Sequence, residues 1–161
     1  MPSLLFQHKT DILYFWTIVM DVIALRKNTG EVSGEVLLNG WPQETVAFRR
    51  ASGYVEQFDV QSPELTVRET VWFSAKLRLD QDLITDEASL RAFVARVLES
   101  VGIREIENAL VGNDSGMGLT FEQKKLLSIA VELAASPSIL FLDEPTSVGV
   151  STVSLLYVCL Y

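Results

Sequence analysis

The most regular hydrophobic pattern in the chain lies between residues 86 and 101. Leu90, Phe93, Val94, Val97, Leu98 and Val101 recur at i, i+3, i+4 spacing among charged and small residues. One face of a 3.6-residue helix carries all six, so the pattern predicts an amphipathic helix over 86–101 whose stripe is core. Thr85 stands before it as a cap and Gly102 after it as a stop. A second helix is predicted over 66–79, where Thr66 and Glu69 have capping-box spacing. A third is predicted over 121–135. There Thr120 and Gln123 repeat that spacing, Leu126, Ile129, Ala130, Leu133 and Ala134 form an apolar face, and Pro137 ends the run.

The period then changes. Residues 138–142 (Ser-Ile-Leu-Phe-Leu) lack the polar alternation of a half-solvated strand. A short apolar run of this kind predicts a strand buried on both faces, as in the middle of a parallel sheet. It leads straight into Asp143, Glu144 and Pro145. In open α/β sheets ligands bind beyond the carboxyl ends of the strands. Nucleotide-hydrolysing folds place there an acid for Mg²⁺ and a group that handles the attacking water. The plain structural reading of Asp-Glu-Pro is a buried strand that surfaces in an acidic turn. Upstream, residues 31–40 read as a strand closing at Asn39-Gly40, a hairpin signal, with Trp41-Pro42 expected to pack behind the turn. Helices alternating with a buried strand give an α/β fold class.

Composition narrows the function. The chain has 161 residues, enough for one domain with its own core, and a net charge of −8. An acidic balance argues against a nucleic-acid surface, which needs a basic footprint. Cys159 is the sole cysteine, so no intrachain disulfide forms, and a reducing compartment fits. The single His8 belongs to no metal-ligand cluster. Two apolar tracts, 12–25 and 145–161, bear on membrane insertion. Asp21 interrupts the first and hydroxyl residues thin the second, so neither supplies the ~20 apolar residues of a span.

A glycine-led helix start at Gly118-Leu119-Thr120-Phe121-Glu122-Gln123, one helix, then a strand ending in Asp143-Glu144 is an ordered constellation. It resembles the nucleotide-binding domain of ATP-binding cassette transporters. The likeness is nearest to the G subfamily and its pleiotropic-drug-resistance members, especially their second nucleotide-binding domain. Leu119 to Gln123 match the signature motif in a degenerate form, with Glu-Gln for Gly-Gly-Gln. Asp143 matches the Walker B aspartate and Glu144 the catalytic glutamate. Residues 48–59 resemble the strand leading into the Q-loop, with Gln57 at its glutamine, and residues 66–75 resemble the family's Thr-Val-Arg-Glu…Phe-Ser-Ala run. Residues 17–25 look like the helix after the phosphate-binding loop, with Thr17 at the hydroxyl position.

The resemblance implies a P-loop NTPase-like (ABC ATPase) partial domain over 17–147. It would have a helical subdomain at about 66–135 and a small antiparallel β segment. It implies ATP and Mg²⁺ as cofactors, with Asp143 and Gln57 on the metal, Glu144 and Gln57 in catalysis, and Thr17 and Leu119 to Gln123 at the nucleotide. It further implies a transmembrane domain and a second nucleotide-binding domain as partners, at the cytoplasmic face of a membrane. The chain also departs from the family. Phe15 and Trp16 stand where the phosphate loop has glycine and lysine, and Val148-Gly149-Val150 stand where the D-loop is expected. No histidine follows to act as the switch residue. Residues 1–16 and the apolar tail 148–161 match nothing and are expected to pack poorly. Three readings stay open: an exporter ATPase domain with impaired nucleotide binding, a non-catalytic regulatory or dimerisation module, and a non-functional truncated product.

Overall fold

The computed structural model describes residues 17–56, 61–80, 86–113, 118–142 and 156–157. Residues 17–23 are helical (α1). They are followed by strands β1 (Leu37–Leu38) and β2 (Trp41–Pro42), helix α2 (Thr45–Ala51) and strand β3 (Ser52–Val55). Helices α3 (Val67–Arg78), α4 (Glu87–Ser100) and α5 (Phe121–Leu133) come next, then strands β4 (Ile139–Leu142) and β5 (Leu156–Tyr157).

The hairpin forms where Asn39-Gly40 predicts it. Leu38 faces Trp41 across a two-residue turn whose φ values are 52° and 85°. Positive φ at both positions is what a type I′ turn requires, and asparagine and glycine tolerate it. The strands are shorter than expected, and the packing expected of Trp41 fails: it is 76% exposed. Among the described residues the hairpin pairs with no third strand, and the indole is left largely uncovered.

A second correction concerns residues 48–59. The strand there begins only at Ser52, because Thr45–Ala51 is helical. The Glu44 carboxylate accepts from the N–H groups of Val46 and Ala47 and starts that helix. A third concerns α4, whose cap is Asp86, accepting from the Ser89 N–H at 2.7 Å; Thr85 lies outside the described residues. Gly102 does end α4, at φ 76°. The Gly102 N–H donates to Glu99 and the Ile103 N–H to Leu98, the paired bonds of a Schellman stop.

Strands β3 and β4 pair in parallel, Ser52 opposite Ile139 through Val55 opposite Leu142. Their connection runs through α3, α4 and α5. β5 pairs antiparallel on the other side of β4, so this short part of the tail joins the sheet instead of standing apart from it. β4 is buried on both faces, as its unbroken apolar run predicts. Phe141 packs with Met20 of α1, Ala24 just past its end and Phe48 of α2, while Leu140 and Leu142 pack with Val55, Ile129 and Leu133. Each such side chain contributes roughly 1.5–3 kcal/mol on burial.

A separate core joins the three long helices and holds Val67, Val71, Leu90, Val94, Leu98 and Leu127, among others. α5 serves both cores. Its buried residues include Leu127, Ser128 and Lys125 beside the expected Ala130, so its buried surface wraps wider than the single apolar stripe read from spacing.

Candidate functional site

The start of α5 is fixed by its own side chains. Thr120 is in extended backbone at φ −65°, ψ 163°. Its hydroxyl accepts the Gln123 N–H at 3.2 Å, and the Gln123 side-chain oxygen accepts the Thr120 N–H at 2.9 Å. Leu119 is buried in the helical core, while Phe121 is half exposed. Thr120 and Glu122 are exposed and Gln123 is half-buried. The capping box leaves the N–H groups of Phe121 and Glu122 as first-turn donors that it does not use. A helix N-terminus with such donors and its dipole favours an anion. The Glu122 carboxylate on the same turn opposes one.

The segment before this turn is held closely. Gly118 sits at φ 144°, bridged to Gly112, and the Leu119 N–H donates to the Val111 carbonyl at 3.0 Å. Residues 111–112 in turn donate to Leu65 and Pro63, just ahead of α3. The capping box of α3 is complete as well: Glu69 accepts from the Thr66 N–H at 2.9 Å and hydroxyl at 2.7 Å. Those bonds hold the Glu69 carboxyl below its ordinary value, the backbone N–H contributing most.

The parallel pairing of β3 and β4 makes their carboxyl ends neighbours, Val55 beside Leu142. From these ends the chain leads on to Gln57 and to Asp143 and Glu144, and these three residues lie outside the described ones. Thr17 is half-buried in the described part of α1.

The structure adds Lys125, which sequence reasoning missed. Its side chain is buried on α5, and Nζ donates to the Glu56 carbonyl at 2.5 Å, one residue before Gln57. No spacing in the sequence marks this lysine, and its burial comes from the packing of α5 against β3. Arg26 forms an ion pair with Glu56 and stacks 4.3 Å over the Tyr54 ring, whose hydroxyl donates to Asp21 at 2.9 Å. The exit of β3 is thus fastened both to α5 and to the end of α1. Among the described residues no group of three or more His, Cys, Asp or Glu could hold a metal, and no helix is long and apolar enough to cross a membrane.

A parallel strand pair with adjacent carboxyl ends, joined through helices, is the α/β arrangement in which ligands bind beyond the strand ends. Residues 17–147 match the ABC transporter family, and the chain belongs to that family. Over 131 residues it is 47% identical to ABC transporter G family member 31 and 51% identical to ABC transporter G family member 32, both of Arabidopsis thaliana. It is 49% identical to Pleiotropic drug resistance protein 1 of Nicotiana tabacum. Each match covers 81% of this chain and 9% of the relative, so the chain spans a small part of the length of these proteins. The family has the P-loop NTPase fold and uses ATP and Mg²⁺, and the helices and small sheets seen here are consistent with part of that fold.

Proposed function

We propose that the chain is part of an ATP-binding and ATP-hydrolysing domain of a G-subfamily or pleiotropic-drug-resistance exporter, with impaired nucleotide binding. The observation that carries the reading is the adjacency of the β3 and β4 exits, each leading to a residue of the matched motifs. In this reading Asp143 and Gln57 ligate Mg²⁺, Thr17 adds a hydroxyl, and Glu144 polarises the attacking water. Gln57 senses the terminal phosphate through its attachment to the Glu56 segment that Lys125 holds. Leu119 anchors the α5 start in the core, so that Thr120 to Gln123 present one rigid edge to the nucleotide of a second nucleotide-binding domain. A transmembrane domain is the other partner, which places the chain at the cytoplasmic face of a membrane.

The impairment follows from Phe15 and Trp16. Neither side chain can replace a lysine as a cation for the phosphates, and neither residue gives the backbone freedom of a glycine loop. Losing one electrostatic donor from a catalytic site typically costs ~10²–10³ in rate. The second reading, a non-catalytic dimerisation or regulatory module, is favoured by the same substitution and by the Thr120–Gln123 box, which consumes two donors at the helix start.

The test is phosphate release with Mg-ATP, comparing the chain with Glu144→Gln. Background rates for both are expected. A clear rate that collapses in Glu144→Gln would overturn the impairment and the non-catalytic reading together.

A further inference from the structure

A second polar concavity runs beside β3, from Ser52 at its start to Arg26, the partner of Glu56 at its exit. It has a volume of about 460 Å³, and its polar lining is Arg26, Asn28, Arg49, Ser52, Arg78 and Glu132, with the aromatic residues Tyr54 and Phe141 beside them. Ser52 is the first residue of β3, and Glu132 lies in the last turn of α5. Twelve residues of α5 separate Glu132 from Thr120, about 18 Å at 1.5 Å per residue. The concavity is therefore distinct from the helix start discussed above, and it touches the β3 exit only through the Arg26–Glu56 pair.

The charges in it do not cancel. Arg78 is spent: it donates to both Glu132 carboxylate oxygens at 3.0 and 3.1 Å, to the Ser74 hydroxyl at 3.1 Å, and to the Val131 carbonyl. Glu132, the one acid in the lining, is neutralised by that pairing and also accepts the Tyr54 N–H at 3.3 Å. Arg26 commits one nitrogen to Glu56, and its guanidinium plane is held against the Tyr54 ring. Arg49 donates only to the Leu25 carbonyl, at 3.3 Å, and makes no ion pair among the described residues. One guanidinium without a carboxylate and a second with donors to spare share a concavity with an amide and a hydroxyl. In a chain of net charge −8 such a local excess of positive donors is not a compositional accident of a basic surface.

We propose that this concavity is a binding site for a phosphate-type oxyanion. Arg49 supplies the uncompensated charge, Arg26 a pre-oriented second guanidinium, and Asn28 and Ser52 neutral donors. Guanidinium groups suit this ligand because their planar forks match phosphate oxygens two at a time. The stacking of Arg26 on Tyr54 reduces the entropy lost when the ligand binds. The volume exceeds a bare phosphate ion, so a phosphate group carrying an organic body also fits.

The test uses the whole chain without nucleotide, in EDTA, so that a Mg-nucleotide site contributes nothing. Inorganic phosphate is titrated calorimetrically at ionic strength held constant with chloride. Saturable one-to-one binding is expected. Arg49→Gln should weaken it roughly tenfold or more, the effect of losing one charge-assisted bond. Arg91→Gln, a charge loss on α4 outside the concavity, should leave it unchanged. Absence of saturable binding, or equal weakening by both variants, overturns the site. Acetate binding as tightly as phosphate overturns the phosphate assignment. If circular dichroism shows Arg49→Gln unfolded, the Asn28→Ala, Ser52→Ala pair decides: severalfold weaker binding supports the site, and unchanged binding refutes it.

Discussion

Gly118 is the position where a single methyl group should do most damage. Its φ of 144° lies where L side chains are strained, which costs an alanine about 1–3 kcal/mol. The space is also taken. A Cβ there would stand 2.5 Å from the Gly112 Cα and closer still to the Val111 carbonyl oxygen. Both are backbone atoms, so no rotamer change relieves the overlap. The segment must move away, and the Leu119 to Val111 hydrogen bond is the first to stretch, at about 1 kcal/mol. Residues 111–112 are themselves tied to Pro63 and Leu65, so the displacement works against the entry to α3. Together Gly118→Ala should cost about 3–5 kcal/mol, a large part of the ~5–15 kcal/mol typical of a domain. Gly102→Ala is the control. Its φ is also positive at 76°, but a Cβ there meets nothing within 4 Å, so strain alone of about 1–2 kcal/mol is expected. Urea denaturation followed by far-ultraviolet circular dichroism gives both values. If Gly118→Ala is destabilised no more than Gly102→Ala, the close approach of these two segments is wrong, and with it the account of how the α5 start is held.

The helix caps predict an acid limb. Glu44, Glu69 and Asp86 are each held below their ordinary values of 4.5, 4.5 and 3.8, chiefly by the N–H groups of Ala47, Thr66 and Ser89 respectively. A depressed folded-state pKa contributes stability that is full above the ordinary value and is lost as pH falls through the folded one. The denaturation midpoint should therefore drop below about pH 4.5, and the triple variant Glu44→Gln, Glu69→Gln, Asp86→Asn should flatten that drop; an unchanged slope would refute the assignment. Lys125→Met should destabilise by about 1–3 kcal/mol, because the Glu56 carbonyl loses its buried donor, and faster hydrogen exchange at the β3 amides would report it. A Lys125→Met chain as stable as the parent would show that the bond carries nothing.

Local signals that act within a few residues were legible in the sequence. Both capping boxes, the stop at Gly102 and the turn at Asn39-Gly40 form as their spacing predicts, because each is decided by bonds inside one turn. The run expected over 138–142 was legible as doubly buried for its four apolar residues, Ile139–Leu142, while Ser138 stays exposed ahead of the strand. Helix α2 was missed since its start depends on Glu44, an acid that caps less often than serine or aspartate and has no apolar stripe behind it. Trp41 was misread because large aromatic residues are usually packed, and on this two-stranded hairpin it stays largely exposed among the described residues. At the candidate site, the capped start of α5 could be read, and the burial of Lys125 could not. Its partner is a backbone carbonyl 69 residues away, and no side-chain pattern marks a carbonyl.

The long-range bonds share one helix, and this bears on how the site could respond to a ligand. Near its start α5 holds the exit of β3 through Lys125 and Glu56. Near its end it holds the body of β3 through Glu132 and the Tyr54 N–H, and holds α3 through Arg78 and through the Ser74 hydroxyl on Val131. Gly53 makes the approach possible, since a Cβ there would meet Glu132 and Leu140 at 3.0–3.1 Å. The helical layer and the sheet are therefore joined along α5 at two levels about 10 Å apart, seven residues at 1.5 Å each. A rigid rod pinned at two levels cannot tilt at one without loading the other. An anion drawing on the first turn of α5 would thus be felt at the β3 exit leading to Gln57, and an anion drawing on Arg49 and Arg26 would bear on the same strand from outside α5, through the Arg26–Glu56 pair.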